Sequence, residues 1–185
     1  MAMDALAQLI AAAQATGDGE ARGLPPVHLW HPEHCGEIDI VIRADGLWLH
    51  EGTPIGRPQL VRLFSTVLRK DPDGYFLVTP VEKLKLTVED APFVAVRADR
   101  EGEALVFHTN VGDRVEAGPQ HRIRVEVDPE SGAPRPYLHV RAGLEALIAR
   151  PVFYELVAMG EARDGRLAIS SNGEWFDLGP LQAAP

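Results

Sequence analysis

Two periodicities alternate along the chain. From Glu37 to Arg43 apolar and polar residues alternate, with Ile38, Ile40 and Ile42 on one face and Asp39, Val41 and Arg43 on the other. That is the two-residue period of a half-buried strand. After Pro58 the period lengthens: Leu60, Leu63, Phe64, Val67 and Leu68 recur at helical spacing, predicting an amphipathic helix closed by Arg69 and Lys70. Between them, Asp45-Gly46 is the dipeptide that a type I′ hairpin turn demands. Such a turn pairs Ala44 with Leu47, Arg43 with Trp48, Ile42 with Leu49 and Val41 with His50. It sets Arg43 beside Trp48 and His50 diagonal to Asp39 on one face.

The other segments follow the same two patterns. Residues 3–15 place Leu6, Leu9, Ile10 and Ala13 at helical spacing, and the Gly-rich charged stretch 16–23 reads as a linker. Asp71-Pro72-Asp73-Gly74 is turn chemistry, leading into a strand over Tyr75–Thr79. Alternation at Leu84, Leu86 and Val88, then apolar runs at 93–96 and 105–108, extend this to an antiparallel meander. A looser echo of the opening strand, turn and helix returns about ninety residues on. In it, 122–127 and 137–140 are strands, and Leu144, Leu147, Ile148, Phe153, Leu156 and Val157 carry a helical stripe interrupted at Arg150-Pro151. Asp164-Gly165 and Asn172-Gly173 then bound a last hairpin over 166–170 and 174–178.

The predicted fold is therefore α+β and mostly antiparallel β. Two repeated strand-strand-helix-strand units share a core behind a short N-terminal helix. The divisions fall at 1–24 (helix and linker), 25–120 (first unit with its meander), 121–179 (second unit) and 180–185 (tail).

Composition narrows the function classes. Apolar residues at 45% and charged residues at 24% allow a sizeable core in a globular chain. A net charge of −9 gives an average field that repels phosphate backbones and anionic lipid, so neither nucleic acid nor membrane is an expected partner. The single cysteine, Cys35, excludes an intrachain disulfide and fits a reducing compartment. The first residues lack the positive start of a signal peptide, and the expected location is cytoplasmic.

His28, His31, His34 and Cys35 crowd one segment and raise the question of zinc. Structural zinc sites pair their ligands across two elements, and no second Cys or paired-His cluster follows, so no metal or other cofactor is expected. Arg57 is the misfit of the helix that begins at Pro58. A cation at a helix N-terminus opposes the dipole unless an anion lies between them. That anion is either a ligand or, the favoured case, a carboxylate of the same chain.

The blocks GEIDIVIRADGLWLHEGTPIGRPQLVRLFSTVL (36–68), YFLVTPVEKLKLTVEDAPF (75–93) and GLEALIARPVFYELV (143–157) together resemble the bacterial family known as domain of unknown function 1285. The similarity spans roughly residues 25–179. It implies a mostly β fold with a few helices and a repeated motif, and involvement in signalling, but no catalytic mechanism. Positions matching the family pattern include Asp39, Asp45, Gly46, Trp48, Gly52, Pro54, Ile55, Arg57, Thr79, Pro80, Glu82 and Lys83. Turns explain the glycines and prolines. Packing does not demand Arg57, Glu82, Lys83 or Asp39.

Two functional readings follow. The leading one is a non-catalytic binding or regulatory module that takes a small anionic ligand or a protein partner. Its site comprises Arg57, Asp39, Glu82, Lys83, His50 and Trp48. The alternative is a small-molecule hydrolase or transferase with His50 as general base oriented by Asp39. Homo-oligomers formed through a sheet edge or the N-terminal helix are compatible with both.

Overall fold

The structure, a computed structural model, describes residues 23–181; the predicted N-terminal helix and the last four residues lie outside this range. The chain forms two compact units, one ending at Asp90 and the other beginning at Ala91.

The first unit opens with a 3-10 turn, Val27–Leu29, followed by β1 (His34–Ile42), β2 (Trp48–His50), β3 (Thr53–Pro54), α1 (Pro58–Thr66), β4 (Leu68–Asp71), β5 (Gly74–Val78) and β6 (Glu82–Val88). Its six strands form one sheet in the order β3-β2-β1-β6-β5-β4. Two antiparallel three-stranded meanders thus meet at a central pair, β1 and β6, which is parallel. Strands β3 and β4 are consecutive in sequence but lie at opposite edges, so α1 connects one edge to the other. It packs against the sheet through Phe64, stacked on Trp48 with ring centroids 6.4 Å apart.

The second unit contains β7 (Phe93–Glu101), β8 (Ala104–Thr109), β9 (Arg114–Glu116), β10 (Ile123–Val127), β11 (Pro134–Arg141), β12 (Leu144–Ile148), α2 (Arg150–Met159) and the hairpin strands β13 (Glu161–Arg163), β14 (Arg166–Ser171) and β15 (Glu174–Pro180). Its six-stranded sheet runs β10-β11-β12-β7-β8-β9, and β13-β14-β15 form a third sheet. Read from β9, the order repeats that of the first unit, again with a parallel central pair, β7 and β12.

The duplication expected from sequence is thus present at the level of the two sheets, with a different alignment. Strand β7 answers to β1 and β10 to β4, so the division falls after Asp90 and not after residue 120. The expected meander through 84–108 does not form. Strand β6 belongs to the first sheet and β7 to the second, because each is committed to a parallel partner. Nor does each unit repeat strand, strand, helix, strand. In the first unit α1 connects the third and fourth strands, whereas α2 follows the sixth strand of the second.

Between β9 and β10 only residues 117–122 make the same connection without a helix. They fold into a turn, with Gly118 and His121 exchanging backbone hydrogen bonds of 3.1 and 3.2 Å. The edges of a flat six-stranded sheet stand about 24 Å apart at ~4.8 Å per strand. A turn cannot bridge that gap, so this sheet curls.

Four local expectations are corrected. The β1–β2 hairpin sets Ile42 opposite Trp48, Val41 opposite Leu49 and Ile40 opposite His50, one residue away from the type I′ register. Gly46 takes φ +86° in a three-residue loop whose Asp45 Oδ1 accepts the Leu47 N–H at 3.1 Å. A one-residue slip exchanges the faces of a strand. The observed register puts Trp48, 1% exposed, on the isoleucine face. Burying a side chain of 150–250 Å² is worth roughly 4–6 kcal/mol at ~25 cal/mol per Å². A preferred turn dipeptide does not compete with that. At Asp164-Gly165 and Asn172-Gly173, where no such conflict arises, both residues of each pair take positive φ, as a type I′ turn requires.

Secondly, α1 ends at Thr66, and Arg69 and Lys70 lie in β4, antiparallel to β5. Thirdly, Leu144–Ile148 is a strand buried at alternate positions, and the helix begins only at Arg150, with Pro151 in its first turn. Proline is suited to that position because it has no N–H to leave unpaired. Pro180, assigned to the tail, belongs to β15.

Phe64→Ala is expected to lower the unfolding free energy by about 3–5 kcal/mol in a urea titration, since it empties the contact between α1 and Trp48. A loss below about 1 kcal/mol contradicts that packing.

Candidate functional site

The six residues singled out from sequence do not converge. Arg57 is the N-cap of α1, exposed, and no side chain caps the helix there. No described residue supplies the carboxylate expected beside it. Directly opposed residues in an antiparallel pair share a face, so His50, opposite Ile40, lies on the core side of the sheet. Asp39, one position along β1, is exposed on the other side. The two are therefore not an acid–base pair. Trp48 is buried, and its Nε1 has no hydrogen-bond partner among the described residues.

Glu82 stands across the ladder from His34, with 3.6 Å between the carboxylate and Nε2. Lys83 is taken up inside the unit: Nζ lies 2.7 Å from the Asp71 carboxylate and 3.9 Å from the Phe76 ring centroid. The exposed Cys35 adjoins His34 on β1, and no three His, Cys, Asp or Glu side chains come together as a metal site among the described residues.

The partner of Lys83 belongs to a cluster that exists only because Arg69 lies in a strand and not in the helix. Along β4 residues 69 and 71 share a face. Arg69 holds Asp71 through two parallel hydrogen bonds of 2.8 Å. Its remaining Nη1 donates to the carbonyls of Val27 and Trp30, each at 2.9 Å. The Arg69 hydrogen bond, reinforced by Lys83, lowers the Asp71 pKa below its ordinary value against the opposing effect of burial. The sequence signal was the Pro72-Asp73 turn, which pairs Asp71 with Gly74 and requires a strand on either side.

A concave site occurs in the second unit. Strands β10 and β15 flank a cleft of about 370 Å³ whose lining includes Arg122, Arg124, Arg166, Trp175, Phe176 and Asp177. Arg124 reaches Glu145 through two hydrogen bonds of 2.7 Å, bonds Glu126 as well, and lies 4.4 Å from the Tyr137 ring centroid. These carboxylates, Glu145 foremost, raise its pKa, so it carries a fixed charge. Arg122 lies over Phe176 at 5.8 Å and 3.5 Å from the Glu174 carboxylate, and Arg166 Nε donates to Asp177 at 2.6 Å. Trp175 is half-buried beneath the Arg163 guanidinium at 4.5 Å. Guanidiniums at the mouth of a partly apolar groove suit an anionic group attached to an apolar body. The signal in the sequence is limited to Arg122 and Arg124 two residues apart on one strand of a chain of net charge −9; Arg166 and Trp175 join them only through the fold.

A family model for the N-terminal domain of DUF1285, a domain of unknown function, matches residues 25–91, and its C-terminal counterpart matches 92–178. The chain belongs to the DUF1285 family. The boundary between the two models falls within one residue of the division into units. A crystal structure of a DUF1285 family protein from Silicibacter pomeroyi DSS-3 matches with a TM-score of 0.83 and 48% identity, over 94% of this chain and 96% of that one. Another, from Shewanella baltica OS155, matches with a TM-score of 0.53 and 28% identity, over 65% of this chain and 91% of that one. No curated protein matches the chain.

Asp71→Asn is expected to destabilise the DUF1285 chain most near neutral pH. A carboxylate whose folded pKa is depressed contributes stability that is present above its unfolded pKa, near 3.8, and lost as pH falls through the lower folded value. Urea midpoints of parent and variant should converge as pH drops below about 4. A gap that stays constant with pH contradicts the charge assignment.

Proposed function

We propose that this DUF1285 protein is a non-catalytic binding module of regulatory character, working in a reducing, cytoplasmic setting, and that the cleft beside β10 and β15 is its binding site. The cleft carries the reading because it gathers Arg122, Arg124 and Arg166 around aromatic walls on an otherwise acidic chain. The opposite orientation of Asp39 and His50 withdraws the geometric support for a His50-dependent hydrolase or transferase. One second reading retains an observation of its own. Arg57 has no partner among the described residues and stands where the first N–H groups of α1 are open, an arrangement suited to a small anion.

Native mass spectrometry of the purified protein tests both. Added mass that vanishes on denaturation, and is lost in Arg122→Ala/Arg166→Ala but kept in Arg57→Ala, supports the cleft. The reverse pattern supports α1 and sinks the cleft. In either case Arg57→Ala is expected to leave the melting temperature within about 1 °C of the parent, because an exposed, unpartnered side chain contributes little stability.

A further inference from the structure

We infer that the outer face of α2 is the contact through which two copies of this chain associate, with the two helices side by side and parallel. This is independent of the cleft, which shares no residue with the helix. Within the second unit α2 packs on β7 and β14 and buries Val152, Phe153 and Leu156. A helix buried along one side normally carries polar residues along the other. The first unit obeys that rule, since α1 exposes Gln59 and Arg62. In α2 the charged residues are Arg150 and Glu155 alone. Tyr154 is 60% exposed, Val157 36% and Met159 39%, and Pro151 and Ala158 are exposed as well. A helix that is apolar nearly all round is ordinarily covered all round.

The spacing along the helix specifies the occupant. At about 100° per residue, Pro151, Tyr154 and Ala158 line up opposite the buried side. They stand three and then four residues apart, the a-d-a seam of a two-stranded coiled coil. Arg150 and Glu155 then fall on the two flanks of that seam, at positions g and e, each roughly 70° from its midline. Neither forms an ion pair or a side-chain hydrogen bond with a described residue. The face is therefore complementary to itself. When two such helices run parallel about a twofold axis, opposite flanks meet, and Arg150 of each copy faces Glu155 of the other. The two side chains start about 7.5 Å apart along the axis, a displacement that an arginine and a glutamate span. Antiparallel helices bring like flanks together and leave both charges unmatched. Ten residues of helix are about 15 Å long, well short of a standard interface of ~1,600 Å², so the dimer is weak, with a dissociation constant on the order of 10–100 µM.

Sedimentation equilibrium of the full chain, from about 5 to about 500 µM, is the test. The parent is expected to pass from monomer to dimer across that range. Tyr154→Glu should abolish the dimer while leaving the melting temperature near that of the parent, because the side chain is exposed. Arg150→Glu and Glu155→Arg should each weaken association about tenfold, since two attractive pairs become two repulsive ones. An equimolar mixture of these two variants should dimerise as the parent does, because opposite charges meet again between unlike chains. Recovery on mixing cannot come from a folding defect, so the test survives if Tyr154→Glu does not fold. A chain that stays monomeric throughout overturns the inference. So does a dimer that is indifferent to all three variants, which assigns the contact to another surface. Loss of the dimer in both charge variants without recovery on mixing overturns the parallel pairing, and the inference with it.

Discussion

The first and last strands of each six-stranded sheet lie side by side and parallel, and much of the molecule follows from that pairing. Parallel neighbours cannot be joined by a tight turn, so the intervening chain must go around. Here it runs outward through one meander and returns through another, leaving the third and fourth strands at opposite edges. The connection between those edges is then the main freedom remaining to each unit. The first unit uses a helix, whose Phe64 meets the buried Trp48. The second uses a short turn and a curled sheet, and its helix comes after the sheet is complete.

Where chain outside the six-stranded sheets docks on them, a few enclosed polar groups fix it. Arg69 neutralises Asp71 and clasps the carbonyls of Val27 and Trp30, holding the segment that precedes β1. In the second unit the fully buried Ser171 hydroxyl accepts from Leu105 N–H at 2.8 Å and donates to the Ala117 carbonyl at 2.7 Å. That bond pair ties the third sheet to the start of β8 and the end of β9. Each arrangement is favourable because the backbone groups it serves would otherwise be shut away from water unpaired.

The third sheet is also the difference that gives the second unit a cleft. Strand β4, the counterpart of β10, has no added strand beside it in its sheet, whereas β10 is flanked by β15. The arginines there are matched to carboxylates within the chain, Arg122 to Glu174, Arg124 to Glu145 and Arg166 to Asp177.

The sequence by itself determined the elements whose pattern is local. The alternation of β1, the stripe at the start of α1, the strand that follows the Asp71 to Gly74 turn and the two Gly-containing turns of the last hairpins stand where residue spacing put them, because period and turn chemistry are properties of a few neighbouring residues. The family likewise was legible, since blocks 36–68, 75–93 and 143–157 carry it independently of any contact. Only the tertiary structure decided what depends on partners distant in sequence. Trp48 overrode the turn preference of Asp45-Gly46 because its burial is worth more than a turn. Arg69 and Leu144 to Ile148 became strand because their neighbours in the sheet, and not their own periodicity, fixed them. The cleft brings Arg122 and Arg124 to Arg166 and Trp175 across some fifty residues, a distance along the chain at which spacing carries no geometry.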